Sequence, residues 1–273
     1  MGIPGDFILS WRLAKSFLVG AVVGILGGLI GLGGAEFRLP LLIGIFEFGP
    51  LAAVILNKAM SLVVVTAAIP ARVSAIPIAD VLSQWPIILN LLSGSIIGAW
   101  AGASWALKLK TRTFYLVIAA LLLLMAFALL LGHVSGSSGV PAMSGLALIS
   151  AGLLAGLGIG VVASLLGVAG GELLIPTFVL LYGVDVKLAG SMSLAVSLPM
   201  MIAGFARYSQ DKSFKVIREE IKFFISMAAG SVLGAYLGGK LLTIVHGNVI
   251  LPLLAGVLVI SAWKMWKHSR TGS

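Results

Sequence analysis

The chain has 273 residues, of which 60% are hydrophobic and only 10% are charged, with a formal net charge of +9 and a mean hydropathy of +1.15. An ordinary soluble domain is about 45–50% apolar and about 25% charged, so this composition argues against a soluble enzyme or a nucleic-acid-binding protein and indicates an integral membrane protein. The chain has no cysteine, which excludes disulfides, thiolate metal sites and a cysteine nucleophile.

Apolar segments follow one another along the chain and predict helices. A spanning helix needs about 20 mostly apolar residues, so segments 37–48 and 173–183 are too short to cross. Each follows a Gly-rich turn, which indicates a half-helix or one arm of a re-entrant hairpin. We therefore predict an all-α polytopic membrane protein, a single membrane domain over 1–273 with eight to ten apolar segments. The segments lie at roughly 16–33, 37–48, 51–70, 85–107, 113–131, 146–167, 173–183, 188–206, 220–242 and 248–264.

The basic residues predict how the chain is oriented. With a cytoplasmic N-terminus, every basic cluster falls on the cytoplasmic side, and the loop at 132–145, which has no Lys or Arg, falls outside. Both termini are therefore predicted to be cytoplasmic, in the cell (cytoplasmic) membrane. The basic linker at 207–222 is expected to contact anionic membrane lipids.

The chain repeats itself at a shift of 136 residues. Residues 31–40 read GLGGAEFRLP, and residues 167–176 read GVAGGELLIP. Each half crosses the membrane an odd number of times, whether the short segment crosses or turns back. The second half must then enter from the opposite side, which predicts inverted-topology repeats at 15–131 and 146–266. Such folds place substrate and coupling ions near the midplane, at broken helices.

Glycines recur every four residues in three of the segments. Small residues at this spacing let helix backbones approach each other in lipid. We interpret these ladders as packing surfaces. They comprise Gly94, Gly98 and Gly102, then Gly152, Gly156 and Gly160, and then Gly230, Gly234 and Gly238.

Both halves carry a Gly-rich turn, a short helix whose first turn ends in Pro, and a later Ser-Leu pair. These motifs run from Gly33 to Pro40 with Met60-Ser61-Leu62, and from Gly170 to Pro176 with Ser191-Met192-Ser193-Leu194. Together with the duplication, they resemble the TauE/SafE family, described as exporters of sulfite and organosulfur anions and related permeases. The resemblance covers residues 15–266 and implies a small-anion transporter. The first copy departs from the pattern at Ala35, Arg38 and Asn57-Lys58.

Glu36 and Glu172 are repeat-equivalent carboxyls at the two Gly-rich interruptions. An ionisable residue at membrane depth is costly and usually faces a cavity or a partner. One interpretation is a coupling site for a proton or cation, or a gate. The other is a structural cap, in which each carboxylate binds free N–H groups in the first turn of the short helix. The equivalence of the two positions favours the coupling role.

An anion site is expected where the short helices begin, because unpaired backbone N–H groups face a ligand there. The candidate substrate-binding residues at these starts are Gly33, Gly34 and Ala35 in the first half and Gly170 and Gly171 in the second.

Polar residues on the helices that follow are further substrate-binding candidates. Lys58 would attract an anion, with Asn57 and Ser61 in its helical neighbourhood. The alternative is that Lys58 snorkels to the cytoplasmic interface. Ser191 and Ser193 are hydroxyl donors on the matching helix, although each serine can instead bond to its own helix carbonyl.

Three arginines are candidates for gating. Arg38 has no repeat partner and is expected to pair with Glu36 or Glu47. Arg72 and Arg207 end equivalent segments, where interfacial anchoring is the alternative role.

These features favour a secondary transporter that moves sulfite, other sulfur oxyanions or organosulfonates by alternating access, with protons as the coupling ion. The alternatives are an anion channel, which would conduct without coupling, and an intramembrane enzyme, which would need a nucleophile–base pair at a recognised spacing. We expect no enzyme activity, no nucleic-acid partner and no cofactor. We also expect no metal site, because the three histidines lack the spacing of metal ligands. The exact substrate, the direction of transport and the oligomeric state stay open.

Overall fold

The computed structural model describes residues 5–30, 34–75, 77–132, 143–241 and 247–271, and these residues form helices and no strand. This confirms the all-α prediction. A short 3-10 turn lies at Lys212–Lys215. The first half contains α1 (Gly5–Ile30), α2 (Ala35–Gly44), α3 (Pro50–Ala75), α4 (Ile78–Ser83), α5 (Trp85–Ala106) and α6 (Thr111–Gly132). The second half contains α7 (Gly145–Leu166), α8 (Gly171–Tyr182), α9 (Val186–Ser209), α10 (Val216–Glu219), α11 (Ile221–Leu241) and α12 (Gly247–Thr271).

Among the described residues, six helices are long and apolar enough to cross a membrane, namely α1, α3, α5, α7, α9 and α11. These six candidate membrane-spanning helices confirm the prediction of a multi-pass membrane protein. Within these spans, 61% of α3 and 56% of α9 is buried, against 28–39% of the other four. The helices α3 and α9 therefore form the centre of the bundle, and the others surround them.

The two short helices fold back along the helices that precede them. α2 and α8 have 10 and 12 residues, which is about 15 and 18 Å of helix against a hydrocarbon core of about 30 Å. The Phe46 ring, just beyond α2, lies 5.7 Å from Nζ of Lys15 near the start of α1. The Tyr182 side chain, at the end of α8, lies against Gly152 near the start of α7. Each short segment is thus one arm of a helical hairpin, α1–α2 or α7–α8.

A glycine precedes each short helix at the hairpin tip. Gly34 and Gly170 have φ of 71° and 79°, in the left-handed region that L side chains rarely adopt. A Cβ at Gly34 would also collide with the carbonyl oxygen of Val23. Glycine at this position lets the chain reverse direction close to the backbone of α1.

The glycine ladders bring the long helices into contact in matched pairs. A Cβ at Gly20 would collide with the carbonyl oxygen of Met227, and a Cβ at Gly156 would collide with that of Leu91. The two contacts are equivalent at the repeat shift of 136 residues, since Gly20 corresponds to Gly156 and Leu91 corresponds to Met227. α1 accordingly packs along α11, and α7 packs along α5. This confirms the packing role of the ladders. The bounds of the repeats and their opposite orientation stay predictions.

Candidate functional site

The two hairpin tips bring Glu36 and Glu172 side by side at the centre of the bundle. Each is the second residue of its short helix, and their side chains are 0% and 3% exposed. Each carboxyl lies beside its own backbone N–H and beside the other carboxyl. Neither meets hydrogen-bond geometry with a donor in the described part of the chain.

This arrangement constrains the charge of the carboxyl pair. Two ionised carboxylates can only accept hydrogen bonds, so Glu36 and Glu172 can bond to each other only when one is protonated. Two adjacent negative charges in a buried site also oppose simultaneous ionisation. The helix N-termini favour negative charge on each carboxyl, but neither carboxyl is bonded to a donor in the described residues. The pair is therefore suited to holding a proton.

A proline follows each glutamate at the fourth position, Pro40 after Glu36 and Pro176 after Glu172. Proline has no N–H, so it removes the helical hydrogen bond that the glutamate carbonyl would otherwise accept. The backbone at both glutamates is thus more polar than that of an uninterrupted helix.

Arg38, two residues beyond Glu36, is fully buried and bonded to neutral groups. Its Nε donates to Oδ1 of Asn57 at 2.8 Å, its Nη2 donates to Oγ of Ser61 at 2.8 Å, and its Nη1 donates to Oγ of Ser231 at 3.2 Å. The expected ion pair of Arg38 with Glu36 or Glu47 is wrong: within 4.0 Å no carboxylate of the described residues reaches it. The guanidinium instead ties α2 to α3 and α11.

Lys58, Asn57 and Ser61 reach from α3 to the carboxyl end of α7 and the turn after it. Nζ of Lys58 donates to the carbonyl oxygen of Ala163 at 3.2 Å, and Nδ2 of Asn57 donates to that of Leu166 at 3.0 Å. Oγ of Ser61 lies 3.2 Å from the Gly167 carbonyl oxygen and 2.7 Å from that of Asn57. A helix that ends at membrane depth leaves carbonyls without helical partners, and Asn57 satisfies that of Leu166. The Ala163 carbonyl already accepts the backbone N–H of Val168 at 3.0 Å.

Lys58 does not snorkel, because its side chain is 0% exposed. Its ammonium lies at the negative end of the α7 dipole, which favours a cation. An ammonium has three donors, and the Ala163 carbonyl takes one of them. The snorkelling alternative for Lys58 is therefore wrong.

The remaining predicted residues are placed as follows. Ala35 and Gly171 begin α2 and α8, directly after the tip glycines. Ser193 donates to the carbonyl oxygen of Gly190 in its own helix at 2.8 Å. The buried hydroxyl of Ser191 has no partner in the described residues. Gly33 and the side chain of Arg72 lie outside the described part of the chain.

Arg207 lies away from the carboxyl pair, at the end of α9. Its Nε donates to Oγ of Ser104 at 2.7 Å, and its guanidinium lies over the ring of Trp100. These contacts tie the end of α9 to α5.

Sequence reasoning missed four residues that complete the site, namely Ser231, Tyr208, Ser164 and Gly204. Ser231 follows Gly230 of a glycine ladder, and its hydroxyl accepts from Arg38. Tyr208 donates to the Ser164 carbonyl oxygen at 2.9 Å, and nothing in the sequence signals that contact. Gly204 lies against both Lys58 and Ser164, because a Cβ there would be 3.3 Å from Nζ of Lys58. Within the described ranges, no group of three or more His, Asp or Glu side chains could hold a metal ion.

Comparison with known proteins agrees with this architecture. Residues 16–265 match the family model described as "Sulfite exporter TauE/SafE". The chain is 27% identical over 124 residues to "Probable membrane transporter protein YunE" of Bacillus subtilis (strain 168), and this match covers 45% of the chain and 44% of that protein. No solved structure matches the chain. Because the family model spans nearly all of the chain, the chain belongs to the sulfite exporter TauE/SafE family of membrane transporters, and not to a family of enzymes.

Proposed function

We propose that the chain is a proton-coupled secondary transporter of small anions, with Glu36 and Glu172 as the coupling pair. The observation that carries this proposal is the position of two buried carboxyls side by side, one from each hairpin tip, without a bonded donor in the described residues. A pair that cannot readily ionise twice gains and loses a proton when its surroundings change. Access from one side of the membrane and then from the other would make that exchange part of a transport cycle.

The anion would bind near the same hairpin tips. The starts of α2 and α8 offer backbone N–H groups at Ala35 and Gly171, which suit an oxyanion. Arg38 and Lys58 add two buried cations whose bonded partners are neutral. In the proposal these cations attract the substrate, and Asn57 and Ser61 hold Arg38 in place. The family description names sulfite, and we propose sulfite, other sulfur oxyanions and organosulfonates as the substrate class.

Alternating access is supported by the positions of the two hairpin bases, which are the ends opposite the hairpin tips. Phe46 and Phe48, at the base of the first hairpin, lie next to the start of α3. Tyr182, at the base of the second, bonds to Asn90 of α5, which follows the far end of α3. Since α3 has 26 residues, about 39 Å of helix, the two bases lie at opposite ends of the bundle. We propose that the halves are inverted repeats, that the first hairpin faces the cytoplasm together with both termini and the 207–222 linker, and that this linker contacts anionic lipid.

Transport by purified protein in liposomes tests the proposal. Sulfite, sulfate, thiosulfate and an alkanesulfonate are offered as labelled substrates, with acetate as a carboxylate control. Saturable flux that responds to an imposed proton gradient is the expected result. Ion current that is indifferent to the proton gradient would identify a channel instead, and chemical conversion of an anion without flux would identify an enzyme.

A further inference from the structure

We propose that the 207–222 linker is a gate, which closes one end of the bundle and moves away when the anion site opens on that side. This inference rests on the proposed function and deepens it, because it names the segment that moves in alternating access. Three features of the linker support it: its position, its two anchors and its contrast with the matching segment of the first half.

The linker covers the end of the two central helices, α3 and α9. It continues directly from the end of α9, and its 3-10 turn and α10 lie against α3. Arg12 contacts both Glu220 of the linker and Phe48, two residues before α3, so the linker meets α3 at its start. Lys58 is eight residues from that start, and Gly204, which lies against Lys58, is five residues from the end of α9. These separations are about 12 and 8 Å of helix, so the linker covers the proposed anion site within about two turns.

The linker has one apolar face and one charged face. Phe214, Val216 and Ile217 are partly buried and pack against the hydrophobic core. The exposed residues between and beside them are charged, namely Lys212, Lys215, Arg218 and Glu219. An amphipathic segment of this length buries only one stripe of side chains. It can therefore leave the bundle without disrupting the packing of the long helices.

Two contacts anchor the linker to its neighbours. The Phe214 ring packs edge-on against Phe205 of α9, with ring centroids 5.0 Å apart and an angle of 71° between the planes. Near the other end of the linker, Nη2 of Arg12 on α1 donates to Oε1 of Glu220 at 3.1 Å, and both side chains are partly exposed. A partly exposed ion pair and a single ring pair each stabilise a contact only modestly. The anchors therefore favour the closed position without locking it.

The matching segment of the first half, α4, lacks both anchors. At the repeat shift of 136 residues, Leu148 stands in place of Arg12. Gln84 stands in place of Glu220, so no ion pair can form there. The ring of the first anchor is replaced by Ile78, which is 54% exposed, and no residue of α4 is buried. The cover is therefore tighter at the end that we propose to be cytoplasmic, as a gate closed on that side requires.

Two alanines provide matched probes for cysteine labelling, and the natural chain has no cysteine that would interfere. Ala53 and Ala189 correspond at the repeat shift of 136 residues, and each is the fourth residue of its helix, α3 or α9. Both are 0% exposed. Ala53 lies at the end of the bundle under the linker, and Ala189 lies at the opposite end. Purified Ala53→Cys and Ala189→Cys proteins are treated with a water-soluble maleimide in the absence of any anion.

Anchor variants are then compared within each probe protein, after thermal unfolding has verified that each is folded. Phe214→Ala and Glu220→Gln each remove one anchor. Glu219→Gln is the matched control, because it changes the neighbouring exposed carboxyl, which is paired with Lys215 inside the linker. The labelling rate follows the fraction of open molecules when the gate moves faster than the reagent reacts. For the Ala53→Cys probe we expect a rise of about two- to fivefold with Glu220→Gln and of about tenfold with Phe214→Ala. The control should leave its labelling unchanged.

The Ala189→Cys probe distinguishes a gate from a loosened bundle, and its labelling should not rise in any variant. If the labelling of both probes rises together, the anchors stabilise the bundle as a whole and the gate is refuted. If the Ala53→Cys probe responds to neither Phe214→Ala nor Glu220→Gln, the linker does not close that end, and the inference fails. These measurements involve no anion, so the proposed function is tested separately by flux in liposomes.

Discussion

Nζ of Lys58 on α3 lies 3.2 Å from the carbonyl oxygen of Ala163 in the last turn of α7. That carbonyl also accepts the backbone N–H of Val168 at 3.0 Å. Lys58 is therefore not needed to bond the carbonyl at the end of α7. The burial of its ammonium, which costs free energy, must have another reason. The proposed reason is an anion that binds to its remaining donors.

Replacing Lys58 separates anion binding from folding. In Lys58→Met the Ala163 carbonyl keeps its bond to Val168, so the unfolding temperature should change little. A hydrogen bond to a charged group contributes about 1.5–3 kcal/mol, so anion affinity should fall by about 10- to 100-fold, and more for sulfate than for methanesulfonate. Calorimetric titration measures both affinities. Equal losses for the two anions would contradict the role of Lys58 as a charge partner.

Gly204 offers a milder change at the same position. A Cβ at Gly204 would lie 3.3 Å from Nζ of Lys58 and 2.8 Å from Oγ of Ser164, so Gly204→Ala should displace the ammonium without removing its charge. We expect weaker binding of both anions, sulfate and methanesulfonate, in calorimetric titration. Unchanged affinity would show that the position of Lys58 does not matter to the anion.

Ser61 and Ser193 are equivalent in sequence and differ in their contacts. Ser61 accepts from Arg38 at 2.8 Å, whereas Ser193 bonds only within its own helix among the described contacts. Ser61→Ala leaves a buried guanidinium donor unpaired and should lower the free energy of unfolding by about 1–3 kcal/mol. Ser193→Ala should change it by less than about 0.5 kcal/mol. Denaturation in detergent compares the two variants, and equal costs would rule out the Arg38 network as a structural link.

Two glycines of α7 provide a matched test of helix packing. A Cβ at Gly156 would collide with the Leu91 carbonyl oxygen, whereas a Cβ at Gly158 meets nothing within 4 Å. Gly156→Ala should destabilise the protein by about 1–3 kcal/mol through overpacking. Gly158→Ala should be neutral or slightly stabilising because alanine favours helix. If both variants unfold at the wild-type temperature, the close approach of α5 and α7 is not required.

Much of the fold could be predicted because membrane helices leave a strong local signal. Each predicted apolar segment coincides with a helix, and the short segments 37–48 and 173–183 became the returning arms of hairpins. The glycine spacing predicted close packing of helix backbones. The repeat also singled out Glu36 and Glu172 as equivalent candidates, and their side chains lie together at the two hairpin tips.

The contacts of Arg38 and Lys58 could not be predicted, because they depend on helices that are far apart in sequence. Arg38 was expected to find an acid nearby in the chain, but Asn57 and Ser231 satisfy it from α3 and α11. Lys58 lies two turns from the start of α3, a position that is compatible with snorkelling, but α7 and α9 cover its side chain. A local pattern does not record which helix covers which face.

Proton-driven accumulation of labelled sulfite in liposomes tests the central claim most directly. Wild-type protein, the double variant Glu36→Gln/Glu172→Gln and a control variant are compared under the same imposed proton gradient. The control is Glu219→Gln, which changes an exposed carboxyl paired with Lys215. We predict that wild type and the control accumulate sulfite above equilibrium, and that the double variant does not. Proton-driven accumulation by the double variant at the wild-type rate would contradict the assignment of the two carboxyls as the coupling pair.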